Sequence, residues 1–144
     1  MIAIDTNLLV YAHRAGLPEH RAARQAIERA AGVGEGWGIA QPTIVEFWSV
    51  VTHPSAMGRP STATEAKAFL QALVHDGGGH VWLPSPGFEN RLLDAAADAN
   101  VKGPRIFDLQ IALLSLEHGA REIWTHDSHF VTAPGLRVID PLRS

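Results

Sequence analysis

Met1-Ile2-Ala3-Ile4-Asp5-Thr6-Asn7 is the stretch on which the fold turns. Four apolar residues run directly into three polar ones, the pattern of a short buried strand that stops abruptly at its carboxyl end. The same alternation continues outward from it. A helix starts within Leu8 to His13 and is interrupted at Gly16-Leu17-Pro18; a second reads from Pro18, suited to a first helical position, to Ala31. Trp37 to Ala40 is a strand, and Pro42 to Thr52 is a helix ended by His53-Pro54. Met57 to Pro60 is a loop. Ser61 or Thr62 caps the next helix, with Thr62-x-x-Glu65 as a capping box. His80 to Leu83 is a strand, Pro86 to Asn100 a helix broken at Lys102-Gly103-Pro104, and Phe107 to His118 an apolar helix stopped by Gly119. Glu122 to Thr125 and Arg137 to Ile139 are late short strands. Short apolar strands alternating with helices imply an α/β fold with a central, mainly parallel sheet flanked by helices. The 144 residues have room for one domain, spanning 1–144, with no repeat or linker.

Composition narrows the class. Apolar residues make up 46% and charged residues 19%, which excludes wholesale disorder. The absence of cysteine excludes a disulfide scaffold and any thiolate-ligated metal. No apolar run approaches the roughly 20 residues that cross a bilayer, and no basic segment precedes an apolar one at the N-terminus. The expectation is a cytoplasmic protein without a membrane association. A net charge of −3 speaks against a broad basic nucleic-acid face.

Four acids stand in apolar surroundings. Asp5 ends the first strand, where ligands of open α/β sheets gather, although an N-cap would explain it equally. Glu46 is the one charge between Pro42 and Thr52, a helix apolar enough to be buried nearly all round, so a buried ion pair is its plain alternative. Asp108 heads an apolar helix and could cap it. Asp127 follows a late strand and could be a turn residue. Carboxylates about 4 Å apart repel by roughly 4 kcal/mol at an effective dielectric near 20, so four together require a cation. An all-oxygen ligand set selects Mg²⁺ or Mn²⁺, and the matching chemistry is phosphodiester hydrolysis by water that the ion activates.

Ile4-Asp5-Thr6-Asn7-Leu8-Leu9-Val10-Tyr11-Ala12 resembles the opening motif of PIN-domain ribonucleases, in particular VapC-type toxins of toxin–antitoxin systems. Glu46-Phe47 with Val51-Thr52-His53-Pro54 is similar to their second acidic segment. Asp108 with its apolar helix resembles the third, and Thr125-His126-Asp127-Ser128-His129-Phe130 the fourth. The likeness runs through the whole chain in order, with acids separated by 41, 62 and 19 residues. It implies a single PIN-like domain and a Mg²⁺- or Mn²⁺-dependent endoribonuclease neutralised by a VapB-like antitoxin; a homodimer is the expected assembly. Asp5, Glu46, Asp108 and Asp127 would be the metal-binding and catalytic acids, with Thr6, Asn7 and Thr125 orienting them. Three positions depart from the pattern: His129 stands where relatives often carry Asp, Pro104 where Asn is common, and Leu109-Gln110 follows the third acid in place of a smaller residue.

The other chemistry-bearing residues are less specific. Arg14, Arg59, Lys102 and Arg105 lie at loops or element ends and are candidates for holding RNA phosphates, as are His126 and His129. No helical His-Glu-x-x-His motif supports a zinc site. Trp37, Trp48, Trp82 and Trp124 are expected to pack in the core. An aspartate-nucleophile phosphatase would also place an acid at Asp5, but Asn7 occupies the place of its partner acid. A non-catalytic interaction module leaves Glu46 and Asp127 together unexplained. Setting the four acids aside turns the net charge of −3 into +1, so the acidic total does not exclude RNA held locally at the site.

Overall fold

The computed structural model describes residues 1–56 and 58–143; of the Met57–Pro60 loop, Met57 lies outside the described residues. Five strands form one parallel sheet: β1 (Ile2–Ile4), β2 (Trp37–Ala40), β3 (His80–Trp82), β4 (Glu122–Trp124) and β5 (Arg137–Ile139). Their order is β3-β2-β1-β4-β5, with every neighbouring pair parallel. The chain therefore builds outward from β1 in one direction and then returns to add β4 on its other side. β1 and β4 flank the point where the strand order reverses, and their carboxyl ends open onto the crevice such a reversal creates.

Helices α1 (Thr6–His13), α2 (His20–Ala31), α3 (Gln41–Thr52), α4 (Ala63–His75), α5 (Phe88–Asp98) and α6 (Arg105–Glu117) cover the sheet. The period of two along β1 sends Ile2 and Ile4 to one face, with Leu8, Leu9, Ile27, Phe47 and Leu70, and Ala3 to the other. That second face packs Trp82, Phe88, Leu109, Ile111 and Leu114. Its central positions are small for a reason: a Cβ on Gly38 would stand 2.5 Å from the Trp82 ring.

Several boundaries differ from the sequence expectation. α2 begins at His20 because Pro18 sits in a turn closed by the His20 N–H on the Leu17 carbonyl. α5 is shorter, Gly87 before it and Asn100 after it both holding positive φ. α6 begins at Arg105, two residues early: Pro104, read as a breaker, has its φ preset for the helical region and starts the helix. The capping box of Thr62 and Glu65 forms as read.

The larger correction concerns α3, which is not buried all round. Thr43, Phe47 and Val51, four residues apart, form its buried stripe, while Val45 is 67% exposed, Val50 45% and Trp48 38%. Trp48 is thus not a core residue, and Glu46 is not a buried charge. Among the described residues, no helix is long and apolar enough to cross a membrane.

Candidate functional site

Asp5, Glu46, Asp108 and Asp127 line one cleft of about 290 Å³ at the carboxyl ends of β1 and β4. Asp5 leaves β1 with its N–H on the Trp124 carbonyl of β4, 3.0 Å, so the two strand ends are joined where the site begins. Its carboxylate then turns back to cap α1, accepting from the Thr6 N–H at 2.8 Å. The cap and the cleft wall are the same side chain. Asp108 lies one turn into α6 and is not the cap of that helix; it accepts from the Val131 N–H at 3.2 Å. Asp127 accepts from the His129 N–H at 2.9 Å, a tight turn that leaves its carboxylate on the cleft. Glu46 reaches the cleft from the exposed side of α3.

Thr125 joins these elements. Its hydroxyl donates to Asp5 Oδ2 at 2.8 Å and accepts from Asn7 Nδ2 at 2.9 Å and from the Asp127 N–H at 3.1 Å. Asn7 Oδ1 in turn accepts from the His126 N–H at 3.1 Å. The fully buried Thr125 thereby ties α1 to the segment after β4 across 118 residues of sequence. Thr6 is also buried and lines the cleft, yet its hydroxyl has no hydrogen-bond partner among the described residues.

The electrostatics follow from crowding. Asp5, only 6% exposed, has its carboxyl pushed up from 3.8 to about 6, first by burial and then by the charges of Glu46 and Asp108. Hydrogen bonds from Thr125 and Thr6 oppose that rise without cancelling it. Burial likewise raises Asp108, with Asp127 and Glu46 adding to it and Arg105 acting against it. Among the described residues, no three His, Asp or Glu side chains stand close enough to hold a metal ion as they are. Mg²⁺ needs only one or two protein carboxylates alongside waters and substrate phosphate. A cleft whose four carboxylates offer only oxygen donors, one of them buried with its carboxyl raised, fits such an ion.

The basic candidates separate. Arg105 stands beside the acids, its guanidinium on the His129 carbonyl at 3.5 Å. Arg14 and Arg59 line a different cavity, at the far end of α1. Lys102 is exposed before α6 and does not line the cleft. His129 is exposed on the turn after Asp127, its ring beside the Ser128 hydroxyl. His126 is held by Asp140 at 2.8 Å and meets the Tyr11 ring edge-on at 6.0 Å. Sequence reading did not single out Asp140, although it follows β5 as Asp5 follows β1. It also missed Val10, Tyr11 and Val50 as cleft walls. Helical spacing carried the signal: Val10 and Tyr11 lie four residues beyond Thr6 and Asn7, and Val50 four beyond Glu46.

The PIN domain family model matches residues 2–136. The chain belongs to the PIN domain family. Ribonuclease VapC43 of Mycobacterium tuberculosis is 31% identical over 83% of this chain and 82% of its own length. Ribonuclease VapC24 of the same organism is 29% identical over 100% of this chain and 99% of its own. These matches make it a VapC-type PIN protein. The crystal structure of Mycobacterium tuberculosis VapC20, a toxin that cleaves the Sarcin-Ricin loop, superposes with a TM-score of 0.68 at 14% identity, covering 90% of this chain and 92% of that one. At that identity the likeness carries the PIN fold alone.

Proposed function

We propose that this PIN protein is a Mg²⁺- or Mn²⁺-dependent endoribonuclease toxin, active in the cytoplasm, with residues 1–144 as one functional unit and a VapB-like antitoxin as its inhibitor. The observation that carries the reading is the gathering of Asp5, Glu46, Asp108 and Asp127 on one cleft at the sheet's reversal point. Relatives named as ribonucleases support the substrate class. One or two of Asp5, Glu46, Asp108 and Asp127 would hold the ion, with the others close enough to take part through its waters. The bound ion supplies Lewis acidity and lowers the pKa of water.

The chain's own groups do the rest. Thr125 and the Thr6 N–H fix both oxygens of Asp5, and Asn7 fixes Thr125. Arg105 offsets carboxylate charge at Asp108 and steers phosphate inward. His129 is exposed on the turn after Asp127, and His126, held by Asp140, keeps Tyr11 in place. The exposed apolar side chains Val45 and Phe107 wall a neighbouring cavity together with Glu46, a surface suited to a second copy of the chain in a homodimer.

The test is cleavage of RNA by the purified 144-residue chain with Mg²⁺, with excess chelator, and with Asp108→Asn. Cleavage that disappears with chelator and falls at least about 100-fold in Asp108→Asn supports the reading, given the usual worth of one charge-stabilising group. Equal cleavage in all three refutes it.

A further inference from the structure

The acid cleft continues beyond Tyr11. Val10, Tyr11 and Val50 wall both the cleft and a second cavity of about 520 Å³, which extends to Arg14 and Leu17. Those two residues also wall a third cavity of about 450 Å³, with His13, Arg59 and Ser61. The three share wall residues in sequence, a path along α1 from its N-cap, Asp5, to its C-cap, Arg14. Nine residues at a helical rise of 1.5 Å span about 13 Å, longer than one nucleotide step along a single strand.

The chemistry changes along that path in three stages. Carboxylates that call for a cation stand at one end. The middle is apolar and aromatic, and Glu19 on its wall disfavours a phosphate there while leaving room for a base and sugar. Guanidinium groups stand at the far end. Of these, Arg14 walls both the second and the third cavity, while Arg59 lines only the third and forks onto Glu65 at 3.2 and 3.0 Å. Arg14 is oriented by the Arg59 carbonyl and by the Ser61 hydroxyl, itself 2.8 Å from His13 Nε2. Ser61 is buried, so this anchoring is part of the fold and not a surface accident.

We propose that the groove along α1 holds a single RNA strand, with Arg14 binding a backbone phosphate beyond the scissile one while Tyr11 and Val50 pack against the nucleotide between. The inference rests on the ribonuclease reading and adds to it a second phosphate subsite. Arg14 acts there as a positioning residue, and its guanidinium suits a phosphate's paired oxygens. The Tyr11 ring supplies a stacking face that tolerates any base.

The test compares wild type, Arg14→Ala and Arg14→Lys on a dodecamer and on a dinucleotide that fills the acid cleft alone. With Mg²⁺, Arg14→Ala raises KM for the dodecamer about tenfold, the worth of one charge-assisted contact, with kcat nearly unchanged. Its dinucleotide kinetics match wild type. In an Asp108→Asn background, the dependence of log affinity on log salt for the dodecamer becomes shallower by about 0.7, one single-strand phosphate. Arg14→Lys retains most of that slope. A variant damaged in folding would lose kcat on both substrates, with no change in salt slope. Wild-type cleavage combined with an unchanged slope, with equal losses on both substrates, or with an effect of Arg14→Ala confined to antitoxin affinity overturns the groove. A wild-type chain that cleaves neither substrate with Mg²⁺ refutes the ribonuclease reading itself.

Discussion

Asp5→Asn should stabilise the metal-free protein while removing its activity. Holding a carboxyl at about 6 in place of 3.8 costs its ionised form about 3 kcal/mol, and burial is the main cause. Because the folded-state value is raised, the stability Asp5 contributes is complete below its unfolded value and is lost as pH climbs from about 4 through about 6. At pH 7.5 the native protein therefore carries nearly the full cost. Asparagine removes the charge and keeps the shape. Its one oxygen still accepts from the Thr6 N–H, but its amide cannot accept from Thr125 as Oδ2 does, a loss of about 1 kcal/mol.

The balance is a gain of about 2 kcal/mol at pH 7.5, or about 6 °C in Tm for a chain of this size. Near pH 4.5 the gain vanishes, since only about 1 kcal/mol of the carboxylate's cost is left and the lost Thr125 bond cancels it. Thermal melts with chelator at both pH values, for wild type and Asp5→Asn, measure it directly. Added Mg²⁺ should raise the wild-type Tm by mass action and leave that of Asp5→Asn nearly fixed. An Asp5→Asn protein no more stable than wild type at pH 7.5, or equally stabilised at both pH values, refutes the account of Asp5 as a carboxylate held at a cost.

Two further substitutions separate structure from chemistry. Thr125→Val leaves Asp5 Oδ2, Asn7 Nδ2 and the Asp127 N–H without their shared partner, so denaturant melts should show a loss of about 2 kcal/mol, cleavage should fall about 10- to 100-fold, and Thr125→Ser should recover both. Glu46→Gln, on the exposed side of α3, should change stability by no more than about 0.5 kcal/mol while cleavage falls about 100-fold; a large stability change would mean that Glu46 serves packing.

Much of this was legible in the sequence because single residues carried it. Ile4 before Asp5 marks a strand end, and the capping box at Thr62 needs only local chemistry. α3 was not legible: its apolar residues outnumber what one buried face requires, and composition cannot tell a helix buried all round from one that leaves Val45, Trp48 and Val50 exposed. The start of α6 was missed because Pro104 both breaks a helix from within and begins one. Arg14 and Arg59 could be suspected as cations, but their distance from the acids depends on the direction of α1 and the path of the loop before Ser61. The Asp140–His126 contact joins β5 to β4, and no local spacing announces it.

Capping and a place among the clustered acids looked like rival explanations of Asp5, and in the structure its carboxylate does both. As an N-cap, Asp5 does what Asn or Ser would do about as well, and either would avoid the charge that burial penalises. The positive end of α1 favours a carboxylate by at most about 2 kcal/mol, less than the cost of holding its charge in this setting. Stability alone therefore does not select aspartate at a position 6% exposed and facing two other carboxylates. Its pairing with Thr125, whose other bonds reach Asn7 and Asp127, fixes the carboxylate at the junction of β1 and β4. A costly charge held rigidly at the sheet's reversal point accounts for the residue when a cation offsets that charge, and the Asp5→Asn melts would reveal the cost with the cation removed.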